Sequence, residues 1–329
     1  MTQKTHSHYL TRRGLIGSAA ATLAMGMTAS RVMAAGPVNI VTTTGMIADT
    51  VRMIGGEHVA VKGLMGPGVD PHAYRQTRSD IVAMTRADLV LWHGLYLEAQ
   101  MEEFFDDLAR QKTVISVAGS LPPEQLLSHE DYEGRFDPHV WMDPKLWAQV
   151  VDRITEVLAE ARPESAAAFE TNSASLKSEL EGLEIYTRDV LATLRPEQKV
   201  LVTAHDAFGY FGAAYDFEVV GVQGISTESE AGLNRISEMV ETLVARDIRA
   251  VFVETSVSDR NMRALIEGAA AKGHEVVIGG SLFSDAMGAE GTYEGTFTGM
   301  IDHNVTTIAR ALGADAPEGG WSGKLTVSG

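Results

Sequence analysis

The sequence has no cysteine among its 329 residues, so there is neither a disulfide framework nor a thiol for the lipid anchor of a bacterial lipoprotein. It also lacks G-x-G-x-x-G and G-x-x-x-x-G-K-[ST]. Without a Gly-rich phosphate cradle, the α/β pattern described below gives no support to a nucleotide-binding enzyme. H-E-x-x-H is absent too, and with it a compact pairing of metal ligands and general base, which counts against a metal-dependent hydrolase. Basic residues are scarce: 27 Lys+Arg face 44 Asp+Glu, a net charge of −17. Such a surface repels nucleic acid and anionic lipid and draws cations from a distance.

The first 34 residues lack acidic side chains altogether. They carry Lys4, Arg12, Arg13 and Arg31, and an apolar small-residue stretch from Gly14 to about Met27. That stretch is too short to span a bilayer and ends near a small-residue cleavage site at Val32-Met33-Ala34, so residues 1–35 are expected to be a removed export signal. Arg12-Arg13, in T-R-R-G-L-I, fits a twin-arginine signal as well as an ordinary Sec signal. Either way the mature chain is expected in the periplasm, as a soluble monomer. Cleavage takes Lys+Arg from 27 to 23 against 44 acidic residues, a net charge of −21.

From Pro37 onward, short Val/Ile/Leu runs alternate with helical periodicity. Val38–Thr43, His58–Leu64, Asp88–Trp92 and Thr113–Val117 predict strands, with helices over Ile47–Ile54, Ser79–Arg86 and Glu98–Arg110. The scheme repeats with strands at Lys199–Thr203, Phe217–Val222, Arg249–Glu254 and Glu275–Ile278, and helices at Leu233–Val244, Arg260–Ala271 and Thr296–Leu312. The fold class is therefore α/β: two Rossmann-like lobes with parallel sheets. Between them, Phe169, Leu176, Leu180, Leu183, Val190 and Leu194 form one narrow stripe, with Pro163 suited to start a helix and Pro196 to stop it. That predicts a backbone helix about 45 Å long. The expected domains are residues 36–162, a linking helix over 163–196, and residues 197–329.

The chemistry concentrates at strand ends, where open α/β sheets bind ligands. D-P-H occurs twice, at Asp70-Pro71-His72 and Asp137-Pro138-His139. Proline fixes its own φ and biases the preceding Asp toward extended backbone, so each imidazole is offered from a stiff turn. His205, in T-A-H-D-A-F-G-Y, and Asp285, in S-L-F-S-D-A-M-G, follow the first and last strands of the second half. Singly, each is better explained as a hydrogen-bonded structural residue. Together, three imidazoles and one carboxylate make a sensible ligand set for one divalent transition metal. Among the other histidines, His93 is a candidate partner behind the ligands, His58, His274 and His303 read as structural, and His129 as part of a solvated acidic loop.

G-P-G-V-D-P-H-A-Y, H-G-L-Y-L-E, F-D-P-H-V-W-M-D-P, T-A-H-D-A-F-G-Y-F, G-I-S-T-E-S-E-A and I-G-G-S-L-F-S-D-A-M-G, in this order, resemble the zinc/manganese-type (TroA-like) solute-binding proteins of ABC transporters. The likeness runs from about residue 36 to 312. It implies two lobes bridged by one long helix, no enzymatic activity, and one transported Zn²⁺ or Mn²⁺ held by His72, His139, His205 and Asp285. It also implies an inner-membrane ABC permease as partner; a surface adhesin of the same fold is the alternative. Two departures stand out. Zinc-dedicated members often carry a long His-rich loop where Ser120–Phe136 here holds only His129, and the position of His93 is commonly Asn.

Overall fold

In the computed structural model, which describes residues 1–3, 36–128 and 134–326, the apolar runs become strands and all pairings between them are parallel. β1 (Val38–Thr42) is flanked by β2 (Val59–Gly63) and β3 (Leu89–Trp92), with β4 (Thr113–Ser116) outermost, giving the order β2-β1-β3-β4. Ile40 pairs with Val61 on one side and Leu89 on the other. Parallel neighbours require crossovers, supplied by α1 (Gly45–Gly55), α2 (Arg78–Arg86) and α3 (Glu102–Ala109). The chain leaves β1 toward β2 and returns across it to β3, so the direction of winding reverses between β1 and β3 and a crevice opens beyond their carboxyl ends.

In the second half, β5 (Val200–Thr203) pairs with β6 (Glu218–Gly221), and β7 (Ala250–Glu254) with β8 (Val277–Leu282). β5 lies beside β7. Several segments differ from the expected pattern, among them a short helix over Gly209–Tyr215, which was not expected. β8 runs on to Leu282 through Gly279 and Gly280, residues that weaken a strand reading. A Cβ at Gly280 would lie 2.3 Å from Thr307 Cγ2, so the glycines let α9 (Phe297–Ala311) press against the sheet. The helix expected from Glu98 begins with a 3₁₀ turn at Ala99–Met101 before α3. And α4 (Pro144–Ala161) is an 18-residue helix absent from the expected elements. Its signals are nonetheless present: Asp143 accepts the N–H of Lys145, Pro144 takes the first helical position, and Leu146, Trp147, Val150, Val151, Ile154, Val157 and Leu158 are buried on one face.

The linking helix, α5 (Ala166–Leu191), is preceded by a separate 3₁₀ turn at Pro163–Ser165. Its 26 residues span about 39 Å at 1.5 Å per residue, somewhat shorter than expected. Phe169, Leu176, Leu180, Leu183 and Val190 are buried as the stripe predicts, against α4 and α1 on the first half and α9 on the second. One apolar cluster runs through both halves, from Leu91 through Trp141, Trp147, Phe169 and Leu183 to Phe252 and Phe297. Trp147 stacks on Phe297 with ring centres 5.0 Å apart. Asp49 of α1 accepts the N–H of Phe297 at 2.8 Å, meeting the positive end of α9. α6 (Gly209–Tyr215), α7 (Leu233–Ala245) and α8 (Arg260–Ala271) complete the second half.

Candidate metal centre

Both D-P-H segments fold into the same turn. Asp70 Oδ1 accepts the N–H of His72 and Asp137 Oδ1 that of His139, each at 2.9 Å. The aspartate thereby closes the turn on the backbone two residues ahead, and the intervening proline stiffens it. His205 follows β5, and its N–H is received by Glu254, the last residue of β7, at 2.9 Å. Asp285 follows β8.

The structure brings the four expected residues together. Their ligand-capable atoms all lie within 4.8 Å of one another, the one such group among the described residues. His139 is at the hub: its Nε2 is 3.3 Å from Nε2 of His72 and 3.3 Å from Nε2 of His205, and 3.4 Å from Asp285 Oδ1. His205 Nε2 lies 3.3 Å from Asp285 Oδ2. A tetrahedral zinc with bonds of 2.0–2.1 Å requires ligand atoms about 3.3 Å apart; the two Nε2–Nε2 separations from His139 meet this, and Asp285 turns a different oxygen to each of His139 and His205 at similar distance. All four residues are buried, and Asp285 Oδ1 has no hydrogen-bond partner among the described residues. A desolvated carboxylate oxygen is costly unless a positive charge, an imidazolium or a bound metal, compensates it.

Carboxylates behind the rings set which nitrogen is offered. Asp137 Oδ1 lies 2.7 Å from His139 Nδ1, and Glu254 Oε2 lies 2.5 Å from His205 Nδ1. A carboxylate accepts, so Nδ1 carries the hydrogen and the neutral ring keeps its lone pair on Nε2, facing the other ligands. Burial works against charge on every ring. At His72 it prevails and pushes the pKa down to about 3. At His139 burial is outweighed by Asp137 and Asp285, which raise the pKa to about 9. At His205 burial is likewise outweighed, by Asp285 and Glu254, and the pKa rises well above the ordinary value. Burial disfavours charge on Asp285 too, yet His205 and His139 hold its pKa well below the usual carboxylate range. A metal held here would compete with protons for Nε2 of His139 and His205.

Three supporting residues escape the sequence reading: Asp137 and Glu254 as ring partners, and Trp141, whose indole N–H donates to the carbonyl of Ser284 at 2.7 Å and so ties the His139 turn to the residue before Asp285. Glu254 had a signal, a lone acid ending the apolar run A-V-F-V-E. His93 is not a ligand. Its Nε2 donates to the carbonyl of Pro138 at 2.7 Å, and the ring is buried between Trp141 and Trp147, where burial pushes its pKa down to about 3. It supports the turn behind His139. His274 and His303 donate to the carbonyls of Ile248 and Ser281, and His58 meets Ser165 Oγ, all outside the cluster. His129, Arg12, Arg13 and the cleavage site lie outside the described residues.

Residues 40–311 match the model of the family described as "Zinc-uptake complex component A periplasmic". The chain belongs to this family. It is 46% identical over 276 residues to the manganese-binding lipoprotein MntA of Bacillus subtilis, covering 84% of this chain and 90% of that protein. It is equally 46% identical over 273 residues to the zinc-binding protein TroA of Treponema pallidum, covering 83% of this chain and 88% of TroA. The solved structure of periplasmic zinc-binding TroA superposes with a TM-score of 0.82 over 84% of this chain and 99% of that one. The TroA-like architecture expected from the motifs is thus the observed one.

Proposed function

We propose that this chain is the substrate-binding protein of a metal ABC transporter, holding one Zn²⁺ or Mn²⁺ with His72, His139, His205 and Asp285 and delivering it to an inner-membrane permease. The carrying observation is the buried cluster itself, with ligand-atom separations of 3.3–3.4 Å around His139 Nε2 and Asp285. Membership of the family supports the transport role. An enzyme is not favoured, because the two carboxylates nearest the rings, Asp137 and Glu254, are engaged with imidazole nitrogens rather than free to activate water.

The metal is left between two. Relatives at the same 46% identity are named for manganese and for zinc. Three imidazoles favour zinc, whereas an Asp285 whose two oxygens face different rings can lend both to a metal of higher coordination number. The reading includes export with cleavage near residue 34, a monomer that binds no nucleic acid, and lobes of 36–162 and 197–329 about a helix within 163–196. Titration of demetallated protein tests it. One Zn²⁺ or Mn²⁺ per chain is expected, with about 4 kcal/mol of added stability at a thousandfold excess over Kd. No saturable binding of either ion would refute the proposal.

A further inference from the structure

The four ligands come from both halves of the molecule, so an ion held by all four leaves when the ligand set opens at the crevice. On the side of α5 they are joined by the continuous core, the Trp147–Phe297 stack and the Asp49 cap on α9. At the crevice the links are polar: behind His139, Trp141 donates to the carbonyl of Ser284 and Tyr210 to that of Asp137, whereas at His72 the tie is slighter. The loop between β6 and α7 reaches across from the second half: Thr227 Oγ1 donates to Asp70 Oδ2 at 2.5 Å, and the side chain of Gln100 donates to Glu228. Nearby, Gly68 takes φ +71°, a left-handed conformation that suits glycine, and lies beside the Thr255 carbonyl of the second half, which a Cβ there would meet at an ordinary 3.4 Å.

We propose that Thr227 is a latch on metal release, a positioning residue that holds the crevice closed by binding the aspartate of the His72 turn; this rests on the metal-binding reading above. Asp70 divides its oxygens: Oδ1 holds the N–H of His72 and Oδ2 takes the hydroxyl of Thr227. One carboxylate therefore couples a ligand's backbone to the opposite half. While the hydrogen bond stands, His72 is tied to the half that carries His205 and Asp285. When it breaks, the His72 turn is freed from the second half while His139 stays tied through Trp141 and Tyr210, and the ligand set opens at His72. A charge-assisted hydrogen bond of this kind is among the stronger ones, and since it is made only in the closed form its loss falls on the dissociation rate. Gln100 and Glu228, exposed at the rim, contribute less.

The test uses the mature, zinc-loaded protein and a chelating dye in excess. Release is followed by stopped flow for wild type, Thr227→Val and Thr227→Ser, alongside zinc titrations and melts of the metal-free proteins. Thr227→Val, close in shape but without the hydroxyl, is expected to release zinc about tenfold faster, as a difference of about 1.4 kcal/mol implies. Thr227→Ser should stay within about twofold of wild type on the same scale, and metal-free melting should not change. A Thr227→Val release rate equal to that of a wild type that binds one zinc would overturn the latch and leave the site standing. Faster release accompanied by an equal loss of metal-free stability would assign Thr227 a merely structural role and also overturn it. A wild type that binds no zinc would bring down the proposed function itself.

Discussion

The two D-P-H turns are identical in sequence and in backbone closure, yet the molecule uses them differently. In the second, one oxygen of Asp137 serves both the N–H and the Nδ1 of His139, while Tyr210 donates to the Asp137 carbonyl, Trp141 grips Ser284 and His93 supports Pro138. His139 is thereby locked to both halves before any ion arrives. In the first, Asp70 closes the turn but its second oxygen is given to Thr227 rather than to the ring of His72. His139 is raised to about 9 by the carboxylates around it, whereas burial takes His72 down to about 3. The motif specifies a turn; the neighbours decide whether that turn is an anchor or a moving part.

The sharpest way to break this comparison is to neutralise the two aspartates in turn. Asn retains an oxygen for the backbone N–H but removes the charge behind the ring. Asp137→Asn is expected to weaken zinc binding by about 10–100-fold, the range for losing a ligand's carboxylate partner. Asp70→Asn should cost about tenfold or less, appearing in the release rate, since no ring depends on it. Equal losses would mean that the two turns are functionally equivalent.

A smaller effect sharpens the same contrast through protons. Below about pH 9 the metal-free His139 tends to carry a proton, while His72, at about 3, does not. Zinc must displace the former and not the latter. Binding near pH 7.5 should therefore release protons, and affinity should rise as pH rises through about 9, where His139 loses its proton. Calorimetry in buffers of different ionisation enthalpy counts the protons. Asp137→Asn, which removes a carboxylate raising the pKa of His139, should lower the count, and Asp70→Asn should leave it unchanged. No proton release in the wild type would contradict the assigned states.

The fold class and the four converging residues were legible because the apolar runs, the repeated D-P-H turns, and the placing of His205 and Asp285 just past strands are all local information. The sequence did not show which carboxylates back which rings. Glu254 lies 49 residues from His205 and Thr227 lies 157 from Asp70, and such pairings depend on how the sheets are set against each other. The identity of the two D-P-H segments hid their difference for the same reason. The expected strand ends at Ile278, whereas β8 continues through Gly279 and Gly280, which serve the close approach of α9. α4 is another matter: its cap, its proline and its apolar face were all local, so nothing physical concealed it.

The central claim is that His72, His139, His205 and Asp285 bind one ion together. X-ray absorption at the zinc edge of the loaded protein tests it most directly. The account predicts a light-atom shell at about 2.0–2.1 Å with the outer-shell scattering of three imidazoles, falling to two in His139→Ala. A wild-type spectrum with fewer than three imidazoles, or one unchanged by His139→Ala, would contradict it.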